Sequence, residues 1–205
     1  MLNLHVRPAL ARVVDPVAAA LLRAGVSPDV ITLLGTLGAV TGALAFFPRG
    51  AFVIGSAVVA LSVLTDMLDG AMARRRGITS RFGGWLDSTC DRVADAAIFS
   101  GLVLWFTGEG DSRVLAGVAL FCLVSGSVVS YAKARAEGLG LRCDVGLAER
   151  AERLILVLVG TALAGFGLDV ALAVLLWVLA AASAITVVQR TLEVRRQAAL
   201  AGPAA

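Results

Sequence analysis

Four aspartates, Asp66, Asp69, Asp87 and Asp91, lie in otherwise apolar segments, within the runs DMLDGAMAR and GGWLDSTCD. Ionisable groups at membrane depth are costly and rarely persist without a partner, so a function is their default reading. On helices, Asp66 and Asp69 are three residues apart and Asp87 and Asp91 four apart, so each pair shares a face. Four converging carboxylates repel one another, and hard divalent cations with oxygen ligands are the obvious counter-charge. Gly70 follows Asp66 by one helical turn, and Gly83 precedes Asp87 by one. The missing side chains leave room for a bulky ligand against the backbone, at a cost in helix propensity. Ala73 extends this small face, and Arg74 adds a cation suited to phosphate oxygens. Acids, glycines and an arginine in this pattern predict a metal–diphosphate site.

The elements that hold these residues follow from composition. Of 205 residues 59% are hydrophobic and only 16% charged, far too apolar for a soluble chain of this length. Apolar stretches cover Val30–Phe47, Ala51–Ala73, Phe82–Phe106, Val114–Ala134, Leu154–Gly167 and Val170–Val188. Most approach the twenty or so residues that cross a bilayer as a helix, which predicts an all-α integral membrane protein with six transmembrane helices. Asp66 and Asp69 precede Arg75, and Asp87 and Asp91 follow Arg81. With about 1.5 Å of rise per residue, antiparallel neighbouring helices then carry both pairs to one depth, roughly 9–15 Å below the boundary.

Charge placement orients the bundle. Arg49 and Arg113 fall on one side and every other Lys and Arg on the opposite side, so by the positive-inside rule both termini and the acids face the cytoplasm. The formal net charge of +3 therefore reads as topology with an anionic ligand, not as a nucleic-acid surface. No cleavable signal peptide is evident, since Arg7, Arg12 and Asp15 interrupt the first twenty residues; Pro8–Leu22 instead reads as an N-terminal amphipathic surface helix. Residues 1–205 form a single domain in this reading, with a juxtamembrane helix over 1–26, the bundle over 27–196 and a disordered tail over 197–205. Ser27-Pro28 signals a helix start, Gly138–Leu147 is the candidate mobile connection, and Gly35, Gly38 and Gly42 allow close helix packing or form a groove wall. Cys90, Cys122 and Cys143 show no metal-type spacing and read as free thiols.

The pattern D-x-x-D-G-x-x-A-R-x8-G-x-x-x-D-x-x-x-D resembles the signature of the CDP-alcohol phosphotransferases. That resemblance implies transfer of a phosphatidyl-type group from a CDP-linked lipid to an alcohol, with release of CMP. It implies that Asp66, Asp69, Asp87 and Asp91 hold two Mg ions, with Mn as the alternative, and that Asp91 takes the proton of the attacking hydroxyl. It places Asp29, Val30, Ile31, Thr32, Gly70, Ala73, Arg74, Ser80 and Gly83 at the CDP-diacylglycerol. Asp95, one turn beyond Asp91, reads as a supporting residue. A homodimer in the cell membrane, among membrane lipids, is likewise implied by the family.

The segments SPDVIT, SYAKARAE and ERAERL extend the likeness to the actinobacterial phosphatidylinositol phosphate synthases, whose acceptor is inositol 1-phosphate. Lys133, Arg135, Arg153 and Arg190 are the expected acceptor-phosphate residues, since arginine clusters clamp phosphate, with Glu149 and Glu152 orienting them. Glycerol 3-phosphate would want the same cluster. A cation transporter would spread its acids across the membrane and leave Gly70, Arg74 and Gly83 without a role.

Overall fold

Ser27 accepts a hydrogen bond from the Val30 amide at 3.4 Å, and Pro28 fills the first turn, so the first long helix starts where the sequence signals it. The computed structural model describes residues 14–77 and 80–201, and among them all regular structure is helical. Helix α1 is described over residues 14–23; the start of the expected surface helix lies outside the described residues. There follow α2 (Pro28–Phe46), a 3-10 turn at Phe47–Arg49, α3 (Phe52–Arg76), α4 (Arg81–Thr107), α5 (Arg113–Gly138), α6 (Arg150–Gly165) and α7 (Asp169–Ala201).

Each apolar stretch of the sequence falls on one of α2 to α7 and starts within two residues of it, except that α6 begins earlier, at Arg150; α7 also runs on well past Val188 to Ala201. Four stretches are long and apolar enough to cross a membrane: Pro28–Arg49, Phe52–Arg75, Arg113–Gly138 and Asp169–Leu200. Helix α4 has the length but carries Asp87, Asp91, Arg92 and Asp95, and α6 has only 16 residues. In the four apolar stretches only 33–39% of the most apolar window is buried within the protein. Leu37, Leu61, Val128 and Val178 point outward, an apolar surface suited to lipid and not to water. The chain is a multi-pass membrane protein.

Packing closes the helices into a ring in the order α2, α4, α5, α7, α6, α3. One apolar core runs through it, including Phe47, Val59, Phe99, Leu102, Leu176 and Leu179. Helices α3 and α4 hardly approach each other, which corrects the expectation that the acid-bearing helices are packed neighbours. Helix α2 stands between them and packs on both. A Cβ at Gly38 would run into Ser62 of α3, and one at Gly101 of α4 would lie 2.7 Å from the Ala43 carbonyl of α2. Small residues thus bring α2 close to both partners, and close packing is what holds helices together among lipid tails. Hydrogen bonds such as Ser56–Thr161 between α3 and α6, at 2.7 Å, add only about 0.6 kcal/mol each.

Two further expectations change. The connection Gly138–Leu147, expected to be mobile, is tied down. Arg190 Nε donates to the Val145 carbonyl at 2.9 Å, and Thr186 Oγ1 accepts from the amides of Leu147 and Ala148, each at 3.0 Å. The tail expected to be disordered from residue 197 is helical as far as Ala201. There the Gln197 amide accepts from Arg142 N at 3.0 Å and donates to Arg142 O at 2.6 Å, and the alanines that follow have high helix propensity. Residues 202–205 lie outside the described residues.

Candidate active site

The gap that α2 keeps between α3 and α4 is a chamber of about 430 Å³. Helix α3 lines it with Asp66, Asp69, Gly70, Ala73 and Arg74, spaced as one helical face. Helix α4 and its cap add Ser80, Gly83, Gly84 and Asp87, and the start of α2 adds Asp29 and Thr32. Ser80 accepts from the Gly83 amide at 3.1 Å, which fixes the helix start at the chamber wall. The Thr32 hydroxyl donates to the Asp69 carboxylate, and both residues are buried. A Cβ at Gly70 would come within 3.3 Å of Arg74 Nη1, and one at Gly83 within 3.6 Å of Asp29 Oδ1. Both glycines therefore keep side-chain bulk out of the chamber. Val30 and Ile31 do not line it: Val30 is exposed, and Ile31 packs with Ala71 and Met72.

A second chamber, of about 670 Å³, lies among α4, α5, α6 and α7. Asp91 and Arg92, Ser130 and Lys133, Glu149 and Arg150, and Arg190 line it. Of the basic residues expected at an acceptor phosphate, Lys133 and Arg190 are here, while Arg135 and Arg153 are not among the lining residues. Arg135 is exposed, and Arg153 is buried to 1% exposure against Asp95. Arg190 is held from three sides, by the carbonyls of Val145 at 2.9 Å and Val129 at 2.5 Å and by Glu149 at 3.0 Å. Lys133 pairs with Asp144 at 2.8 Å, and the hydrogen bond from its ammonium holds the Asp144 carboxyl below its ordinary range.

A narrow crevice borders both chambers, lined by Asp66, Cys90, Asp91 and Arg150. Arg150 spans it, with Nη1 3.0 Å from Asp66 Oδ2 and Nη2 2.8 Å from Asp91 Oδ1. Asp95 collects the neighbouring charges, with Arg153 Nη2 at 2.5 Å, Arg92 Nη2 at 3.5 Å and Arg150 Nε at 3.9 Å. Arg92, Arg150 and Arg153 thereby balance Asp66, Asp91 and Asp95. Among the described side chains no ion pair reaches Asp69 or Asp87, so two negative charges are left facing the first chamber. Arg92 and Arg150 were not among the expected site residues: Arg92 is a lone arginine between Asp91 and Asp95, and Arg150 reads in sequence as one more charge on the basic side of the membrane.

Among the described residues no three acidic side chains meet at one point, and the Arg150 guanidinium lies between two of the four. The donors are carboxylate oxygens throughout, two of them without a cation, and this set fits a hard divalent ion in preference to zinc.

Compared with known proteins, residues 25–189 match the profile of the CDP-alcohol phosphatidyltransferase family. The chain is 52% identical over 211 residues to phosphatidylinositol phosphate synthase of Streptomyces avermitilis, covering 100% of this chain and 86% of that one. Its fold is similar to the crystal structure of Mycobacterium tuberculosis phosphatidylinositol phosphate synthase with CDP-DAG bound, with a TM-score of 0.87 and 51% identity over 90% of this chain and 94% of that one. The same Mycobacterium tuberculosis protein in complex with manganese and citrate gives a TM-score of 0.85 at 51% identity, over 88% of each chain.

Proposed function

We propose a reaction for this chain from one established premise: it belongs to the CDP-alcohol phosphatidyltransferase family and is a transferase. The reaction is transfer of the phosphatidyl group of CDP-diacylglycerol to inositol 1-phosphate, giving phosphatidylinositol phosphate and CMP. Relatives named for that product, at about half identity over most of the chain, support the acceptor. The observation that carries the mechanism is the pair of chambers meeting at Asp66 and Asp91. One takes the donor and the other the acceptor.

Asp29, Thr32, Gly70, Ala73, Arg74, Ser80 and Gly83 cradle the CDP end of the donor, with Arg74 toward its phosphates. Asp66, Asp69, Asp87 and Asp91 hold two divalent ions, Mg or Mn, which neutralise the diphosphate and the departing CMP. Lys133 and Arg190 bind the phosphate of inositol 1-phosphate. Asp91, which lines the acceptor chamber, takes the proton of the attacking hydroxyl as the new phosphorus–oxygen bond forms and the bond to CMP breaks. Arg153 serves through Asp95, and Arg135 meets the acceptor only as it enters.

The same reading extends to the membrane. Helices α4 and α6 complete the ring with the four long apolar helices, so all six cross, as one domain. The side rich in Lys and Arg is cytoplasmic and holds both termini, with α1 on the membrane surface, and the protein is a homodimer. Purified protein supplied with CDP-diacylglycerol and Mg should release CMP with inositol 1-phosphate and not with unphosphorylated inositol. A preference for glycerol 3-phosphate would keep the phosphate clamp and overturn the acceptor.

A further inference from the structure

Arg150 has no place in the reaction just described, yet its guanidinium makes the shortest contact of any cation to either Asp66 or Asp91. It starts α6 and reaches across the ring to α3 and α4, in the crevice where the two chambers adjoin. Its position is held only in part. The Nη groups are bonded, but Nε is buried without a hydrogen-bond partner, as is Asp95 Oδ1 at 3.9 Å from it. Exposure is what sets Arg150 apart: it lines the second chamber with its side chain 25% exposed, whereas Arg153 beside it, with Nε and Nη1 likewise unpartnered, is shut in at 1%. An arginine bonded through its tip, unbonded at its base and open to a chamber has somewhere to go.

We propose that Arg150 is a displaceable internal counter-ion. It neutralises Asp66 and Asp91 while no divalent cation is bound, yields both carboxylates when the cation arrives, and turns its guanidinium into the second chamber, where it meets the acceptor phosphate. This rests on the assignment of the four acids as metal ligands. The charges require an exchange of this kind, because a divalent ion and a guanidinium sharing the same two carboxylates would repel at close range in a medium that screens poorly. The consequence is reciprocal coupling: the metal frees Arg150 for the phosphate, and the phosphate, by engaging Arg150, frees the carboxylates for the metal. Thermodynamic linkage makes the two effects equal. Arg150 then binds the acceptor only once the metal has released it, and so enforces joint loading of the two chambers.

The test is Mn binding by the full-length protein in detergent, followed by electron paramagnetic resonance and needing no turnover. In wild type, saturating inositol 1-phosphate should tighten Mn binding about tenfold, within the usual range of such couplings. In Arg150→Gln, Mn should bind tighter than in wild type without any acceptor, and inositol 1-phosphate should leave the affinity unchanged. Simple field effects give a different pattern, because an anion in the second chamber would still favour Mn after Arg150 is neutralised. Arg150→Lys guards against loss of fold; it keeps the charge but cannot span both carboxylates, and it too should bind Mn tighter with a reduced response to acceptor. Wild type with no response to acceptor, or Arg150→Gln with the full response, overturns the proposal. Asp87→Asn tests the underlying assignment separately: unaltered Mn binding there removes the metal site itself, whereas weakened binding with no Arg150 effect removes only the exchange.

Discussion

Asp69 and Asp87 differ from Asp66 and Asp91 in what neutralises them. Asp66 and Asp91 share Arg150, whereas Asp69 receives only the Thr32 hydroxyl and neither Asp69 nor Asp87 has a cation among the described side chains. An ionised group near membrane depth costs about 2.5–3.5 kcal/mol on insertion scales, which is the cost a cation bound at Asp69 and Asp87 would offset under the proposed assignment. Asp69→Asn and Asp87→Asn should each lower turnover by several orders of magnitude, since a ligand and its charge vanish together. Chelation should abolish CMP release, and added Mg or Mn should restore it; full activity after exhaustive chelation would defeat the assignment. Asp91 stands apart because it lines the second chamber. Asp91→Asn should abolish transfer and leave CDP-diacylglycerol binding largely intact, as measured by equilibrium binding of labelled donor. Turnover with an unchanged pH profile would move the base elsewhere. Lys133 should behave differently again. A charge-assisted bond to phosphate is worth about 1.5–3 kcal/mol, so Lys133→Met should raise the KM for inositol 1-phosphate by roughly ten- to a hundredfold and leave donor KM in place.

At the scale of the helices, the buried pair of Arg153 and Asp95 fixes how α4, α5 and α6 meet. Gly126 on α5 makes this possible, since a Cβ there would lie 2.6 Å from Arg153 Nη1 and the wholly buried guanidinium has no room to retreat. Gly126→Ala should therefore separate Arg153 from Asp95, and breaking a buried pair costs about 3–5 kcal/mol. Gly117→Ala on the same helix meets nothing within 4 Å and serves as the control. Thermal unfolding in detergent should drop clearly for the first and hold or rise for the second; equal midpoints would show that α5 shifts without strain. This coupling also marks where the sequence stopped being legible. The six helices were readable because apolar length needs no partner, and the first chamber was readable because its acids and glycines recur at helical spacing. A basic side chain looks the same in sequence whether it faces water or a buried carboxylate, so the burial of Arg153 and the bridging by Arg150 were not readable. The insertion of α2 between α3 and α4 was hidden for a related reason: the small residues Gly35, Gly38 and Gly42 announce close packing but not the partner.

For the whole molecule, the ring leaves the acids near one end, and the placement of charge decides which compartment that end faces. Arg49, on the turn between α2 and α3, and Arg113, at the start of α5, mark the other end, while Arg142 and Arg190 share the end of the second chamber. On the proposed reaction the nucleotide head of the lipid donor and the phosphorylated acceptor both enter from the end that holds the acids, so the orientation decides from which compartment they are drawn. Cysteine labelling in intact cells reads the orientation directly, and the chain is suited to it because Cys90, Cys122 and Cys143 are all buried and free. Single cysteines placed by Arg49→Cys and Asp111→Cys should react with a membrane-impermeant maleimide from outside. Arg142→Cys, exposed on the connection before α6, should react only after the membrane is opened. Because the apolar α3 lies between Arg49 and Asp111, their labelling from one side requires α4 to cross as well, so the contrast tests α4, the helix whose buried charges keep it from looking like a span. Labelling of Asp111→Cys and Arg142→Cys from the same side would remove α5 as a crossing helix, and labelling of Arg49→Cys and Asp111→Cys from opposite sides would leave an odd number of crossings between them. Either result would break the ring topology on which the two-chamber site is built.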